Sequence, residues 1–277
     1  MRLQTTLAHS PHAPDPEQNT VLQLGLQQLD PNTWMQVDND YPQFYQHKVE
    51  TFARRPDNVY FAEPSSTTAQ AEFHQQLVAH LQRDYPQHCN KISNQLPFTS
   101  LWHSSLLVQE DICLLEQIDE RYCLTAASVC SPSNWRLEDK RGGNLDLIHK
   151  PVPGYQEQLS TRVQRLFSKL KSDAPLLRYN WSLQADNELW WRDDLNPNSI
   201  QNRKECMDFS QWYWRVERQT LMRLPTTEAI VFTIRIYLHQ VANLPRTSQQ
   251  HLWRIINALP PEQRAYKGLT FAPLLHK

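Results

Sequence analysis

Five glycines in 277 residues confine this chain more than any other feature of its sequence. At an average usage of about 7%, a chain this long carries roughly 19. Backbone conformations that suit only glycine are therefore scarce, and turning falls to Pro, Asn, Asp and Ser. A dinucleotide-binding fingerprint or a phosphate loop needs clustered glycines beside a strand, and no such run exists. Collagen and glycine-rich linkers are excluded on the same ground. Three of the five glycines, Gly142, Gly143 and Gly154, crowd between positions 142 and 154, together with Pro151 and Pro153.

The charge balance excludes further classes. Lys plus Arg number 28 against 29 for Asp plus Glu, so no basic excess is available to hold nucleic acid. No apolar run approaches the roughly 18 residues of a membrane span. Residues 1–20 are polar and carry Pro11, Pro14 and Pro16, without the apolar centre of a signal peptide. They read as a flexible arm ahead of a single domain over 21–277, and the expected location is cytoplasmic. The five cysteines (Cys89, Cys113, Cys123, Cys130 and Cys206) are odd in number and never spaced C-x-x-C. That argues against a disulfide framework, a zinc ribbon, an iron–sulfur cluster and covalent haem attachment.

Periodicity sets the fold class. Thr67–Tyr85 and Thr247–Leu259 read as helices, and Gln156–Ser172 places Leu159, Val163, Leu166, Phe167 and Leu170 on one helical face. Ser104–Gln109, Ile112–Gln117, Tyr122–Cys130, Leu176–Leu183, Phe209–Leu221 and Glu228–Leu238 read as strands. Leu189–Asn202 reads as a polar loop. The order predicts an α+β fold, a mostly antiparallel sheet wrapped by helices, with helical N- and C-terminal extensions.

Three constellations carry chemistry. In Lys140–Tyr155, His149 ends a short helix and is followed by the stiff exit Pro151-Val152-Pro153-Gly154. A metal ligand gains from such rigidity; a histidine that only caps its helix meets the same pattern. Over Trp212–Leu221, strand alternation puts Arg215, Glu217 and Gln219 on one face and Trp214, Val216 and Arg218 on the other. Such a polar row faces a polar pocket, or it is solvated and ion-paired across strands, with Arg235 as the partner of Glu217. In Arg178-Tyr179-Asn180-Trp181, the arginine suits a carboxylate. Glu110-Asp111 reads as a solvated turn. No nucleophile-elbow, flavin or nicotinamide motif is present.

Five blocks in one order carry a resemblance: Val108-Gln109-Glu110-Asp111, Ser131-Pro132-Ser133-Asn134-Trp135, Ile148–Gly154, Arg178–Trp181 and Glu217–Pro225. Together they resemble the haem-dependent oxidative N-demethylase α-subunit family. The resemblance implies a PAS-like fold of two strands, a helical middle and three closing strands, with the haem ligand on the helix before the last three. His149 falls there, as the one axial ligand of a non-covalent haem b; a Cys130 thiolate is the competing choice. Glu217, Gln219 and Arg215 would hold a protonated amine and polarise O2. Arg178, Arg218, Arg235 and Lys140 would neutralise haem propionates, with Trp181 beside the cofactor. The implied reaction is oxidative demethylation of a small secondary amine such as dimethylamine, with O2. Electrons would come from NADPH through flavin and [2Fe–2S] partner subunits. A haem-binding PAS-like sensor, or a non-catalytic binding module, is the alternative.

Overall fold

In the computed structural model of the chain, which describes residues 24–92, 98–192, 209–267 and 269, β-branched and aromatic runs pair into an antiparallel sheet of seven strands. Chain order runs β1 (Gln27–Gln28), α1 (Tyr41–Arg54), α2 (Pro56–Val59), β2 (Tyr60–Ala62), α3 (Thr67–Asp84), α4 (Pro86–Ile92) and α5 (Leu101–Ser105). It continues with β3 (Asp111–Ile118), β4 (Arg121–Ser128), α6 (Leu145–His149), α7 (Tyr155–Gln158) and α8 (Ser160–Lys169). It closes with β5 (Leu176–Gln184), β6 (Tyr213–Arg223), β7 (Ile230–Gln240), α9 (Arg246–Ala258) and α10 (Pro261–Tyr266). The sheet order is β1-β5-β6-β7-β3-β4-β2. An α+β fold is therefore observed, with two long strands, a helical middle and three closing strands. Among the described residues no helix is long and apolar enough to cross a membrane.

Glycine scarcity leaves its mark on the turns. The β3–β4 hairpin turns through Asp119 (φ 48°) and Glu120 (φ 64°), and Asn134 and Glu228 also take positive φ. Each such non-glycine residue costs about 1 kcal/mol.

Several expected elements are corrected. Ser104–Gln109 is not a strand: α5 ends at Ser105, and the carbonyls that would bond a neighbouring strand meet an ammonium instead. Lys48 of α1, fully buried, donates to the carbonyl oxygens of Ser105 (2.7 Å), Val108 (3.1 Å) and Glu110 (2.6 Å). Glu110 and Asp111 are buried rather than solvated. Asp111 accepts from the backbone N–H groups of Cys130 and Ser131, both at 2.8 Å. The helix expected over Gln156–Ser172 breaks at Leu159 into α7 and α8. Of the expected polar loop, Leu189, Trp190, Trp191 and Arg192 are buried, and 193–202 lie outside the described residues, as do the 1–20 arm and Cys206.

Register fixes what each sheet face carries. Arg178 pairs with Gln219, Asn180 with Glu217, Glu217 with Ile236 and Gln219 with Ile234. Side chains of paired residues share a face, so Arg178, Asn180, Arg215, Glu217, Gln219, Ile234 and Ile236 lie on one side. On that side α6, α7 and α8 pack through Leu145, Tyr155, Leu159, Val163 and Phe167 against Cys113, Leu115 and Leu221. Burying each large apolar side chain contributes about 2 kcal/mol. The opposite face carries Trp181, Trp214, Val216 and Tyr237, covered by Leu252, Ile255 and Ile256 of α9.

Candidate functional site

The short helix α6 is placed by its glycines. Gly142 N–H donates to the Leu124 carbonyl (3.1 Å), and Leu124 N–H donates to the Gly143 carbonyl (2.9 Å), which hangs the segment on β4. Gly142 takes φ 65°, the left-handed region. At Gly143 the reason is space: a Cβ there would stand 2.6 Å from Leu147 Cδ2 and 3.0 Å from the Lys140 carbonyl oxygen. Asn144 caps the helix by accepting from Leu147 N–H at 3.0 Å. Lys140 Nζ donates to the Leu147 carbonyl at 3.0 Å, near the helix's last turn. Lys140 thus braces α6.

His149 is held on two sides. Its Nδ1 lies 2.8 Å from the Leu145 carbonyl oxygen. A carbonyl only accepts, so Nδ1 carries the proton. The ring also stacks on Tyr155. Burial holds the imidazole pKa below its ordinary value; the bond to Leu145 opposes this, and the nearby Arg178 and Lys140 charges reinforce it. The neutral ring therefore presents an Nε2 lone pair that takes no hydrogen bond among the described residues. A metal-binding histidine needs this tautomer and this second contact.

On the sheet face that α6 covers stands an ionised carboxylate. Glu217 Oε1 accepts from Arg215 Nε (3.2 Å), and Oε2 accepts from Asn180 Nδ2 (3.2 Å) and Gln219 Nε2 (2.9 Å). Burial alone would raise its pKa. The Arg215 guanidinium, with the bonds from Asn180 and Gln219, outweighs that and holds the carboxyl below its ordinary range. Arg215 is fully buried and also donates to the carbonyls of Leu189 (3.3 Å) and Ser131. It joins the Ser131–Trp135 block to the sheet. Arg178 is partly exposed, yet its Nε is buried and has no hydrogen-bond partner among the described residues. Burial lowers its pKa, against the pull of Glu217.

Three of the residues expected at the cofactor, Arg218, Arg235 and Trp181, lie on the sheet face opposite Glu217. Arg218 pairs across strands with Arg235. Arg218 donates to the carbonyls of Trp34 (3.0 Å) and Thr33. Arg235 pairs with Asp38 (3.0 Å) rather than with Glu217, and lies over the Phe44 ring. Trp181 is buried among the residues that α9 covers. Cys130, the competing ligand choice, is buried with Val59, Trp102 and Trp190, and burial pushes its thiol's pKa up.

Sequence reasoning missed three participants. Asn180 lay inside a quoted block but had no assigned role. Tyr155 follows the Gly154 turn that ends the rigid exit, which was the available signal. Lys267 sits on the C-terminal side and touches Asn180; nothing local in its sequence points to the site. Two surface clefts, of about 600 and 430 Å³, lie around Arg223 and Glu228 and include none of these groups.

A porphyrin held by one imidazole asks for an uncommitted ring nitrogen, apolar walls and a cation for its carboxylates. His149 Nε2, Ile234 with Ile236, and Arg178 with its unpartnered Nε are those groups, so the residues present fit such a cofactor. Among the described residues no three His, Cys, Asp or Glu side chains converge as around a bare metal ion. A family model described as haem-dependent oxidative N-demethylase, alpha subunit-like, matches residues 25–272.

Proposed function

Because the chain belongs to the haem-dependent oxidative N-demethylase, alpha subunit-like family, we propose that it binds haem b through His149 Nε2 and demethylates a small secondary amine of the dimethylamine type. The observation that carries this is the shared sheet face. It brings a neutral, oriented imidazole, an arginine whose Nε has no hydrogen-bond partner among the described residues, and an ionised carboxylate to one side of the sheet.

Haem would supply oxidation of the N-methyl carbon by O2, with two electrons and two protons taken up and formaldehyde, the demethylated amine and water released. The chain's own residues do the rest. Glu217 retains acceptor capacity beyond its three donors and takes a charge-assisted hydrogen bond from the ammonium of the amine. Arg215 and Gln219 hold the carboxylate in place, and the Gln219 amide oxygen is a second acceptor for the substrate. Arg178 neutralises a carboxylate of the cofactor. Lys140 positions α6 and so the imidazole. An alpha subunit implies partner subunits, and the electrons are assigned to a reductase bearing flavin and [2Fe–2S] centres.

The test is an absorption spectrum of the purified chain before and after dithionite, followed by turnover with a competent reductant. A Soret band that His149→Ala abolishes, and formaldehyde formed from dimethylamine, support the reading. Haem binding without amine turnover overturns the catalytic half and leaves a non-catalytic haem module. An unchanged spectrum in His149→Ala overturns the ligand.

A further inference from the structure

Lys267 follows the last turn of α10 and reaches inward to the β5 strand, where it is only 9% exposed. Its ammonium stands 2.6 Å from the Trp181 carbonyl oxygen, 3.3 Å from Asn180 Oδ1 and 4.5 Å from the centre of the Trp181 ring. From Asn180 the contact continues inward, because Nδ2 donates to Glu217 Oε2 at 3.2 Å. The polarity of this chain is forced. An ammonium only donates, so it meets the amide oxygen; a carboxylate only accepts, so it meets the amide nitrogen. The carboxylate alone would keep the amide nitrogen turned toward it, but without Lys267 the amide oxygen loses its anchor and the side chain is free to swing off the carboxylate.

We propose that Lys267 is a positioning residue for Glu217, anchoring the Asn180 amide oxygen so that the amide nitrogen is held on the carboxylate. Lys267 touches neither the amine nor the cofactor; it acts through Asn180. Its placement makes β5 a relay from the C-terminal helix to the site. The charged and titratable groups facing it are Glu217 and Arg178, with Arg215 behind the carboxylate. Burial lowers the Lys267 pKa to about 7, against the pull of Glu217 and with the push of Arg178. The lysine is thus a cation at pH 6 and largely neutral at pH 8, while it still donates in both forms.

The amine measurements below rest on the proposed function; the crystallographic one does not. Crystal structures of the full chain as wild type and as Lys267→Met should show the Asn180 Nδ2 contact to Glu217 in the first and its loss in the second. Retention of that contact in Lys267→Met overturns the proposal. Dimethylammonium affinity is then measured by calorimetry at pH 8, where the lysine's charge contributes least. Lys267→Met and Asn180→Leu should each weaken binding about tenfold, the worth of one charge-assisted hydrogen bond. The double variant should be no weaker than the worse single one. Additive losses, or a lowered melting temperature with unchanged affinity, mean a structural anchor and overturn the proposal. In wild type the affinity should rise from pH 6 to pH 8 as repulsion of the cationic amine fades, and Lys267→Met should be flat. Should Lys267→Met fail to fold, Asn180→Leu decides alone: weakened binding supports the relay and unchanged binding overturns it. A wild type that binds no dimethylammonium sinks the functional reading, and the crystal structures then decide the role of Lys267.

Discussion

The imidazole of His149 lies face to face with the ring of Tyr155, their centres 4.5 Å apart and their planes 10° from parallel. The hydroxyl of that tyrosine is buried and has no hydrogen-bond partner among the described residues. The ring, not the hydroxyl, therefore does the holding. Tyr155→Phe should keep cofactor affinity and match or exceed wild-type stability, since a buried unsatisfied hydroxyl is removed. Tyr155→Ala should lose about 3 kcal/mol of stability from the truncated core and release haem faster. Thermal melts and transfer of haem to a scavenger protein check both. Equal haem release from the two variants would contradict the stacking role.

Gly143 and Gly142 should respond differently to alanine. At Gly143 the new methyl meets Leu147 Cδ2 at 2.6 Å and a backbone oxygen at 3.0 Å. Gly143→Ala should shift α6 and cost about 1–3 kcal/mol, with weakened haem binding. At Gly142 the nearest atom is a Glu63 side-chain oxygen at 3.7 Å, so only the positive φ is strained. Gly142→Ala should cost about 1 kcal/mol. Urea melts of the two variants give the order directly.

Lys48 replaces a strand neighbour for three carbonyl groups. Lys48→Met keeps most of the volume and removes the donors, leaving three buried oxygens unsatisfied. The expected loss is about 3 kcal/mol or more. A denaturant midpoint unchanged from wild type would show that the carbonyls find other partners.

Acid should destabilise the fold through two histidines, His239, which is buried, and His47, which is half-buried. Burial lowers the pKa of His239 to about 4, and neither ring nitrogen has a hydrogen-bond partner among the described residues. Burial likewise lowers His47 to about 4, although its Nε2 donates to the Cys130 carbonyl at 2.8 Å. Unfolded histidine titrates near 6.5. Between that value and about 4 the unfolded chain binds more protons than the folded one, so stability falls as pH falls through this window. It is full above pH 6.5. The loss from His239 is about 3 kcal/mol. Urea midpoints measured from pH 7 to pH 4 should show a steep fall, and His239→Phe should flatten it; the same slope in that variant would count against His239 as a source.

The sheet and the amphipathic helices were legible because period 2 and period 3.6 are local signals. Strand alternation also separated Arg215, Glu217 and Gln219 from Arg218 correctly. It did not reveal which face α6 covers, because that depends on how β5, β6 and β7 register with one another. Arg235 was assigned to Glu217 for the same reason: its partner Asp38 is 197 positions away along the chain. Glu110 and Asp111 looked solvated because two adjacent acids usually are. Their burial depends on Gln36 N–H for one and on the Cys130 and Ser131 N–H groups for the other. The Ser104–Gln109 stretch failed as a strand because a distant lysine took its carbonyls. Long-range polar contacts of this kind leave no trace in local composition.

Strand β5 has one further consequence for how the protein behaves in solution. Among the described residues, β1 covers only Leu176 and Leu177 of its outer edge. Beyond them the edge runs on to Gln184, and the Trp181 carbonyl on it is occupied by Lys267. A free sheet edge is a template onto which a second chain can add a strand, and the lysine on the Trp181 carbonyl takes one acceptor of that edge. Losing that side chain should therefore free an edge acceptor as well as loosen the carboxylate, a cost in solubility beside the one in chemistry.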